Sequence, residues 1–387
     1  MQLVLIGVGQ AGGKIVDALL QRESADKTPF IREAVAINTA EQDLRGLDHV
    51  PEANRHLVGQ SRVGGHGVGG DNELAAEIAQ DERSELVRAI DVPATNVDAF
   101  LVVAGLGGGT GSGMSPVLVN ELQRIHTEPI YGLGILPSED EGGLYSLNAA
   151  RSLRTLRREA DNVVLIDNDA WRSSGESLGD AYESINREIA RRLAVLFSAG
   201  ELSQSDTVGE SVLDASEIIN TLRGGGVSAL GYGSGKIDTD DSSGRLSGLL
   251  GSSTPSVDET TAVNLTMSTI RKAVRSQLSV PCDVASTGRA LVLVSGPPAW
   301  LSRKGIERGR QWVEETTQCL EVRGGDYPLP ESDHVAAVVL LSDVKESERL
   351  DQLEAVAADA QGEQETHEND GEVSGESLSD DKLDGLF

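Results

Sequence analysis

Apolar residues follow two rhythms along most of this chain. Strand-sized, nearly continuous apolar runs lie at residues 2–6, 34–37, 99–103, 129–135 and 163–166. Runs of that length, rich in Val, Ile and Leu, predict strands buried on both faces. Between several of them, residues 11–22, 72–90, 114–125 and 144–160 carry apolar positions at helical spacing, so the first half reads as a βαβ series on a parallel sheet. Residues 182–202 form a longer helical pattern with Ile185, Ile189, Leu193, Leu196 and Phe197 on one face. Beyond it, strand-like segments at 227–230, 290–294 and 335–341 and helical patterns at 261–279 and 304–319 predict a second, α+β domain. From about Gln361 the sequence is acidic and Ser-rich, which predicts a disordered tail, with Leu383, Leu386 and Phe387 clustered at its tip. The expected division is 1–181 for the parallel-sheet domain, 182–209 for a linking core helix and its loop, 210–345 for the second domain, and 346–387 for a helix end and tail.

The turns after the strands narrow this α/β reading. The run Ala104 to Gly113 holds six glycines, together with Thr110 and Ser112, between a buried-type strand and a helix. Glycines let backbone N–H groups approach a polyanion, and a helix N-terminus favours negative charge, so the loop reads as a phosphate cradle. A flexible spacer is the bland alternative, but spacers are not flanked by buried elements. Gly7 to Gly12 satisfies GxGxxG, which keeps a NAD-dependent oxidoreductase in view. That reading wants an acid at the end of the second strand, where Asn38-Thr39-Ala40 stands instead. A third glycine-rich segment spans Gly64 to Gly70, and no GxxxxGK[ST] pattern occurs, because Gly13-Lys14 is followed by Ile15. Several loops without a Walker lysine suit one nucleoside triphosphate held mainly by backbone dipoles.

Charge and composition narrow it further. With 62 acidic residues, 33 basic ones and a net charge of −29, the chain is a poor match for nucleic acid. The acids are spread along the whole length and lysines number only seven, which points to a surface solvated in concentrated salt and hence a halophilic host. There is no 18-residue apolar stretch and no charged segment before the first apolar run, so a cytoplasmic chain without membrane insertion is expected. Cys282 and Cys319 lack zinc or disulfide spacing, which fits a reducing interior.

Gly107 to Gly113 reads GGGTGSG and resembles the signature loop of the tubulin and FtsZ superfamily. Gly9-Gln10-Ala11-Gly12 looks like the tubulin form of the first loop, and Asn38-Thr39 like the FtsZ form of the second. Asp214 to Leu222 resembles the synergy loop and its following helix, and the mixture together with the acidic composition is most similar to the archaeal tubulin-like CetZ group. The resemblance implies a Rossmann-like GTPase domain joined by a long core helix to a smaller α+β domain, with GTP or GDP and Mg²⁺ bound. It implies phosphate contacts from Gly9, Gln10, Ala11, Gly12 and Gly13, with Gln10 near the metal, and from Gly107, Gly108, Gly109, Thr110, Gly111 and Ser112. Asn38, Gly69, Gly70, Asp71 and Asn72 are placed around the γ-phosphate. Glu141 matches the ribose-binding acid, with Tyr145 where FtsZ proteins carry an arginine. Asn168 and Asn186 match guanine-reading positions and Tyr182 matches a base-stacking one; an amide can pair with the guanine edge.

The same resemblance implies catalysis split between subunits, with Asp214 and Glu217 presented to a neighbour's nucleotide and head-to-tail polymers as the consequence. Without it, the two acids read as a solvated helix face, and Ser211-Val212-Leu213 stands where an asparagine often precedes them. The implied role is a cytoskeletal one in cell shape, with motility or division as alternatives; a GTP-binding regulator that no longer turns over is the other rival. The apolar tail tip suits either a docking peptide for a membrane adaptor or a frayed terminus. His66 reads as a satisfied loop histidine or a phosphate contact, and Trp171 and Trp312 as core or interface residues.

Overall fold

The computed structural model describes residues 1–26, 29–90, 96–171, 178–199, 201, 213–237 and 258–370. Among the described residues ten strands form one sheet: β1 (Leu3–Val8), β2 (Ile31–Asn38), β3 (Arg55–Leu57), β4 (Ala99–Gly105), β5 (Ile130–Leu136), β6 (Asn162–Asp167), β7 (Val227–Lys236), β8 (Arg289–Gly296), β9 (Val322–Pro328) and β10 (His334–Val344). Their spatial order is β3-β2-β1-β4-β5-β6-β7-β10-β8-β9. From β3 to β6 every neighbour is parallel, as the βαβ pattern predicts. The seam between the halves is a short parallel contact, Val163 to Val227 and Val164 to Ser228; β10 then runs antiparallel between β7 and β8.

The helices among the described residues are α1 (Gly9–Asp26), α2 (Glu41–Arg45), α3 (Gln60–Val63), α4 (Asn72–Asp81), α5 (Arg83–Ala89), α6 (Gly109–Ile125), α7 (Gly143–Glu159), α8 (Asn168–Trp171), α9 (Leu178–Ser198), α10 (Ala215–Leu222), α11 (Glu259–Arg275), α12 (Arg303–Thr317) and α13 (Glu348–Asp370). The pleat sends successive strand residues to opposite faces, and both faces are covered. Val4, Ile6, Val8, Phe100 and Val102 join one core layer, with residues of α4, α6, α7, α11 and α13. Leu3, Leu5, Leu101 and Val103 join the other, with α1, α9 and α10. Each layer draws on both halves of the chain, so the cores are separated by the faces of the sheet and not by the change of topology.

The structure departs from the sequence pattern in a few places. The helical run 72–90 is two helices, broken where Glu82 takes φ −99° and ψ 18°. β3 is only three residues long and β9 contains Gly324 and Gly325, so neither carries a strand-like pattern; each is held by its neighbour, β2 or β8. The linking helix begins at Leu178, which puts Asn186 in its interior and not at its start. α13 crosses Gln361 and continues to Asp370, while the tail tip at Leu383, Leu386 and Phe387 lies outside the described residues, as do Ser211 and Val212.

Candidate functional site

The five parallel strands β2, β1, β4, β5 and β6 deliver the loops beginning at Thr39, Gly9, Leu106, Pro137 and Asn168 to one edge of the sheet. The carboxyl edge of an open α/β sheet is where such folds hold ligands. α1 starts at Gly9 and α6 at Gly109, so two helix N-termini meet there and their first-turn N–H groups favour an anion.

Close backbone contact locks the glycine loops together. Gly9 has φ +73°, and a methyl group placed on it would lie 2.9 Å from the Gly111 nitrogen. A methyl on Gly12 would lie 2.1 Å from the Val103 oxygen. Thr39 and Thr110 share a hydrogen bond between their hydroxyls at 2.7 Å, which ties the β2 loop to the signature loop. Asn38 is buried; its amide donates to Asp43 at 3.1 Å and its oxygen accepts from the Ala40 N–H at 3.1 Å. The segment bearing Gly69 and Gly70 docks on the same loop through Gly67 N–H to Thr39 O at 3.1 Å and Glu41 N–H to Gly65 O at 2.9 Å. Asp71 caps α4 by accepting from Leu74 N–H at 2.9 Å, and Ser112 donates to the Gly108 and Gly109 carbonyls.

Within this tight assembly Gly69 and Gly108 stand apart, because a methyl on either would meet nothing within 4 Å. The Asn72 side-chain nitrogen is buried without a hydrogen-bond partner. Gln10 is exposed at the start of α1, and Ala11 touches the signature strand: a methyl on Gly105 would sit 2.9 Å from the Ala11 Cβ. Gly13 faces away from this contact, toward Leu47.

The adjoining part of the edge gathers the expected ribose and base residues. Glu141 accepts from the Ser138 N–H at 2.8 Å and from the Tyr182 hydroxyl at 3.0 Å, so residues 41 apart in the chain are joined. Asn168 opens α8 directly after β6 and is buried. Asn186 is half-buried one helical turn after Tyr182 on α9, so the two share a face. Burial pushes the neighbouring Asp167 carboxyl up to about 6, with Asp169 adding to the rise and Arg349 opposing it. His66 is exposed, its backbone bridged to Ala40. Trp171 packs on the core, with the Arg192 guanidinium 4.0 Å above its ring, and Trp312 packs against the other core layer.

Two comparisons with known proteins decide the family. The model of the Tubulin/FtsZ family GTPase domain matches residues 2–176, and that of the tubulin-like CetZ C-terminal domain matches residues 175–359. The tubulin-like protein CetZ5 of Haloferax volcanii is 52% identical over the full length of both chains. The chain belongs to the CetZ family of tubulin-like proteins. CetZ1 of Haloferax volcanii, solved as a GDP-bound monomer, superimposes with a TM-score of 0.83 at 50% identity, covering 93% of this chain and all of that one. CetZ2 of the same organism, solved as a GTPγS-bound protofilament, gives 0.83 at 44% identity, with 94% and 100% covered. The tubulin/FtsZ-like fold expected from the loops is therefore the fold of this CetZ chain, and the dinucleotide enzyme is set aside.

Asp214 and Glu217 lie elsewhere in the CetZ fold. α10 packs at the amino edge: Asn162, the first residue of β6, donates to Leu222 O at 3.1 Å and Gly225 O at 2.8 Å, and Arg289, the first of β8, donates to Asn220 O at 3.2 Å. Six-residue strands separate the two edges by on the order of 20 Å. Asp214 is the N-cap of α10, accepting from the Ser216 hydroxyl at 2.5 Å and the Glu217 N–H at 3.1 Å. These bonds, the Ser216 one foremost, hold its carboxyl below the usual range. Glu217 meets Arg323 of β9 at 2.9 Å, and Arg323 also grips Glu321.

Sequence reasoning missed Asn148 of α7. Its amide donates to Gly70 O at 2.8 Å and Gly107 O at 3.0 Å, clamping two glycine loops together. The available signal was an asparagine, a poor helix former, in the interior of a helical pattern.

Proposed function

We propose that this CetZ chain binds GTP in the cradle at the carboxyl edge, hydrolyses it only when a second subunit brings Asp214 and Glu217 to that cradle, and polymerises head to tail as a cytoskeletal protein. The observation that carries the reading is the separation of the glycine loops and the two acids on opposite edges of one sheet. A site divided this way is completed by a neighbour in the same orientation, and such heterologous contacts build filaments. The GDP-bound monomer and the GTPγS-bound protofilament of the Haloferax relatives support the nucleotide and the polymer.

In this mechanism Gly9 to Gly13, Gly107 to Ser112 and the Gly69 to Asn72 segment hold the phosphates with backbone N–H groups, and Asn38 shapes the loop beside them. Glu141 binds the ribose, Tyr182 covers the base, and Asn168 and Asn186 read its edge. Gln10 would help hold Mg²⁺ beside the nucleotide, and the ion would supply charge neutralisation when bound. Among the described residues no three His, Cys, Asp or Glu side chains form a metal cage, which suits an ion carried mainly by phosphates. Asp214, kept ionised, accepts a hydrogen bond from the attacking water, and Glu217 orients it once docking draws it from Arg323. Domain limits at about residues 181, 209 and 345 follow the same scheme. Among the described residues no helix is long and apolar enough to cross a membrane, and we assign the filament to the cytoplasm, with the tail tip as a docking peptide for a membrane adaptor. Control of cell shape is the role proposed.

The test is light scattering with phosphate release in multimolar KCl, comparing GTP, GDP and ATP. Scattering specific to GTP that decays as phosphate accumulates is expected, with persistent polymers for Glu217→Ala. GTP binding with neither scattering nor turnover would overturn the catalytic part and leave a regulator.

A further inference from the structure

The loops that carry the proposed base and ribose contacts are held from outside the parallel sheet by one arginine. Arg349 is the second residue of α13, and its side chain is only 7% exposed. One guanidinium nitrogen donates to Pro137 O at 2.6 Å, at the end of β5. The group also lies 3.6 Å from a Glu139 oxygen, 3.5 Å from Asp167 and 3.9 Å from Asp169. Those partners come from two separate segments, 137–141 and 167–169, which contain Glu141 and Asn168. Asp169 joins the segments directly by accepting from the Glu139 N–H at 2.7 Å. The arginine is fixed in turn: Leu350, Leu353 and Ala357 of α13 are buried in the core layer shared with α7, and the Ser347 hydroxyl donates to Pro281 O at 2.6 Å.

We propose that Arg349 is a positioning residue for nucleotide binding: its fork sets the spacing between the Glu141 and Asn168 segments and links the seating of α13 to nucleotide affinity. The inference rests on the GTP reading above and adds to it a control point outside the nucleotide contacts. A planar guanidinium presents five donors in a rigid fork, so it can hold two loops at a set spacing, a geometry that a freely rotating ammonium does not fix. The contacts with Pro137 and Asp167 are buried, so multimolar salt screens them little.

The charged groups facing Asp167 are Arg349 from α13 and Asp169 from its own turn, with Glu139 reached across the guanidinium. The carboxyl is held up to about 6 by burial, so a fall in pH through that value protonates it and weakens the grip. Calorimetric titration of the full chain with GDP in multimolar KCl, from pH about 5 to about 8, tests this on wild type, Arg349→Gln and Asp169→Asn. GDP avoids turnover, and its own phosphate titration is common to all three proteins. Arg349→Gln is expected to remain folded by thermal melt, to bind about tenfold more weakly at neutral pH, and to lose the affinity step near the Asp167 titration. Asp169→Asn keeps an acceptor for Glu139 but removes a negative charge, so the step should move to lower pH. A folded Arg349→Gln protein with wild-type affinity and profile would overturn the proposal. If that variant fails to fold, an unmoved step in Asp169→Asn overturns it instead. Wild type that does not bind GDP at all would defeat the nucleotide reading, a result distinct from either.

Discussion

At Gly108 one methyl group separates binding from folding. Its backbone, at φ −74° and ψ 171°, is open to any residue, and nothing lies within 4 Å of the added carbon. Gly108→Ala should therefore melt like wild type while binding GTP at least about tenfold more weakly, because the methyl occupies the cradle. Gly12→Ala is the contrasting case, since its methyl would be driven onto the Val103 oxygen; it should lose several kcal/mol, on the order of 3 or more, of folding stability. Melting curves and nucleotide titration of the two variants check the pair. A Gly108→Ala protein with unchanged affinity would remove the phosphate role from this loop. The glycine loops were legible in the sequence because close approach of backbone to backbone depends on local conformational freedom, which composition reveals directly. Asn148 and Arg349 were not, because each acts on loops distant in the chain, 78 residues for Asn148 to Gly70 and 212 for Arg349 to Pro137, and no local pattern announces such a contact.

At the level of elements, α10 presents its two acids by an ordinary helix-capping arrangement. Asp214 satisfies a first-turn N–H, a task asparagine performs equally well. Asp214→Asn is accordingly expected to change stability by less than about 0.5 kcal/mol and to slow phosphate release by about a hundredfold. Equal losses in melting temperature and turnover would mean the residue is only a cap. The elements themselves were largely foreseen: each apolar run became a strand, and the loops at Gly9 and Leu106 fell at strand ends, whereas Gly64 to Gly70 lies between α3 and α4. What escaped were elements whose stability is borrowed. β3 and β9 owe their pairing to β2 and β8, and the break at Glu82 divides a periodic run that offers no proline or glycine to mark it.

For the molecule as a whole, the net charge of −29 opposes compaction and self-association unless salt screens it. The melting temperature should rise steadily as KCl is raised from about 0.1 M to above 1 M, where the Debye length shrinks from about 10 Å to about 3 Å. A flat response would remove the halophilic reading of the surface. The central claim, however, is that one active site belongs to two subunits. It is tested most directly by mixing Gly108→Ala, with a damaged cradle, and Glu217→Ala, with a damaged synergy loop, and measuring phosphate release from GTP in concentrated KCl. With GTP held below the Kd of Gly108→Ala and above that of wild type, neither variant alone should release appreciable phosphate. In an equal mixture, junctions that pair an intact cradle with intact acids should restore about one quarter of wild-type release, the fraction expected from random head-to-tail pairing. Release no greater than the sum of the separate variants would contradict a site shared between subunits.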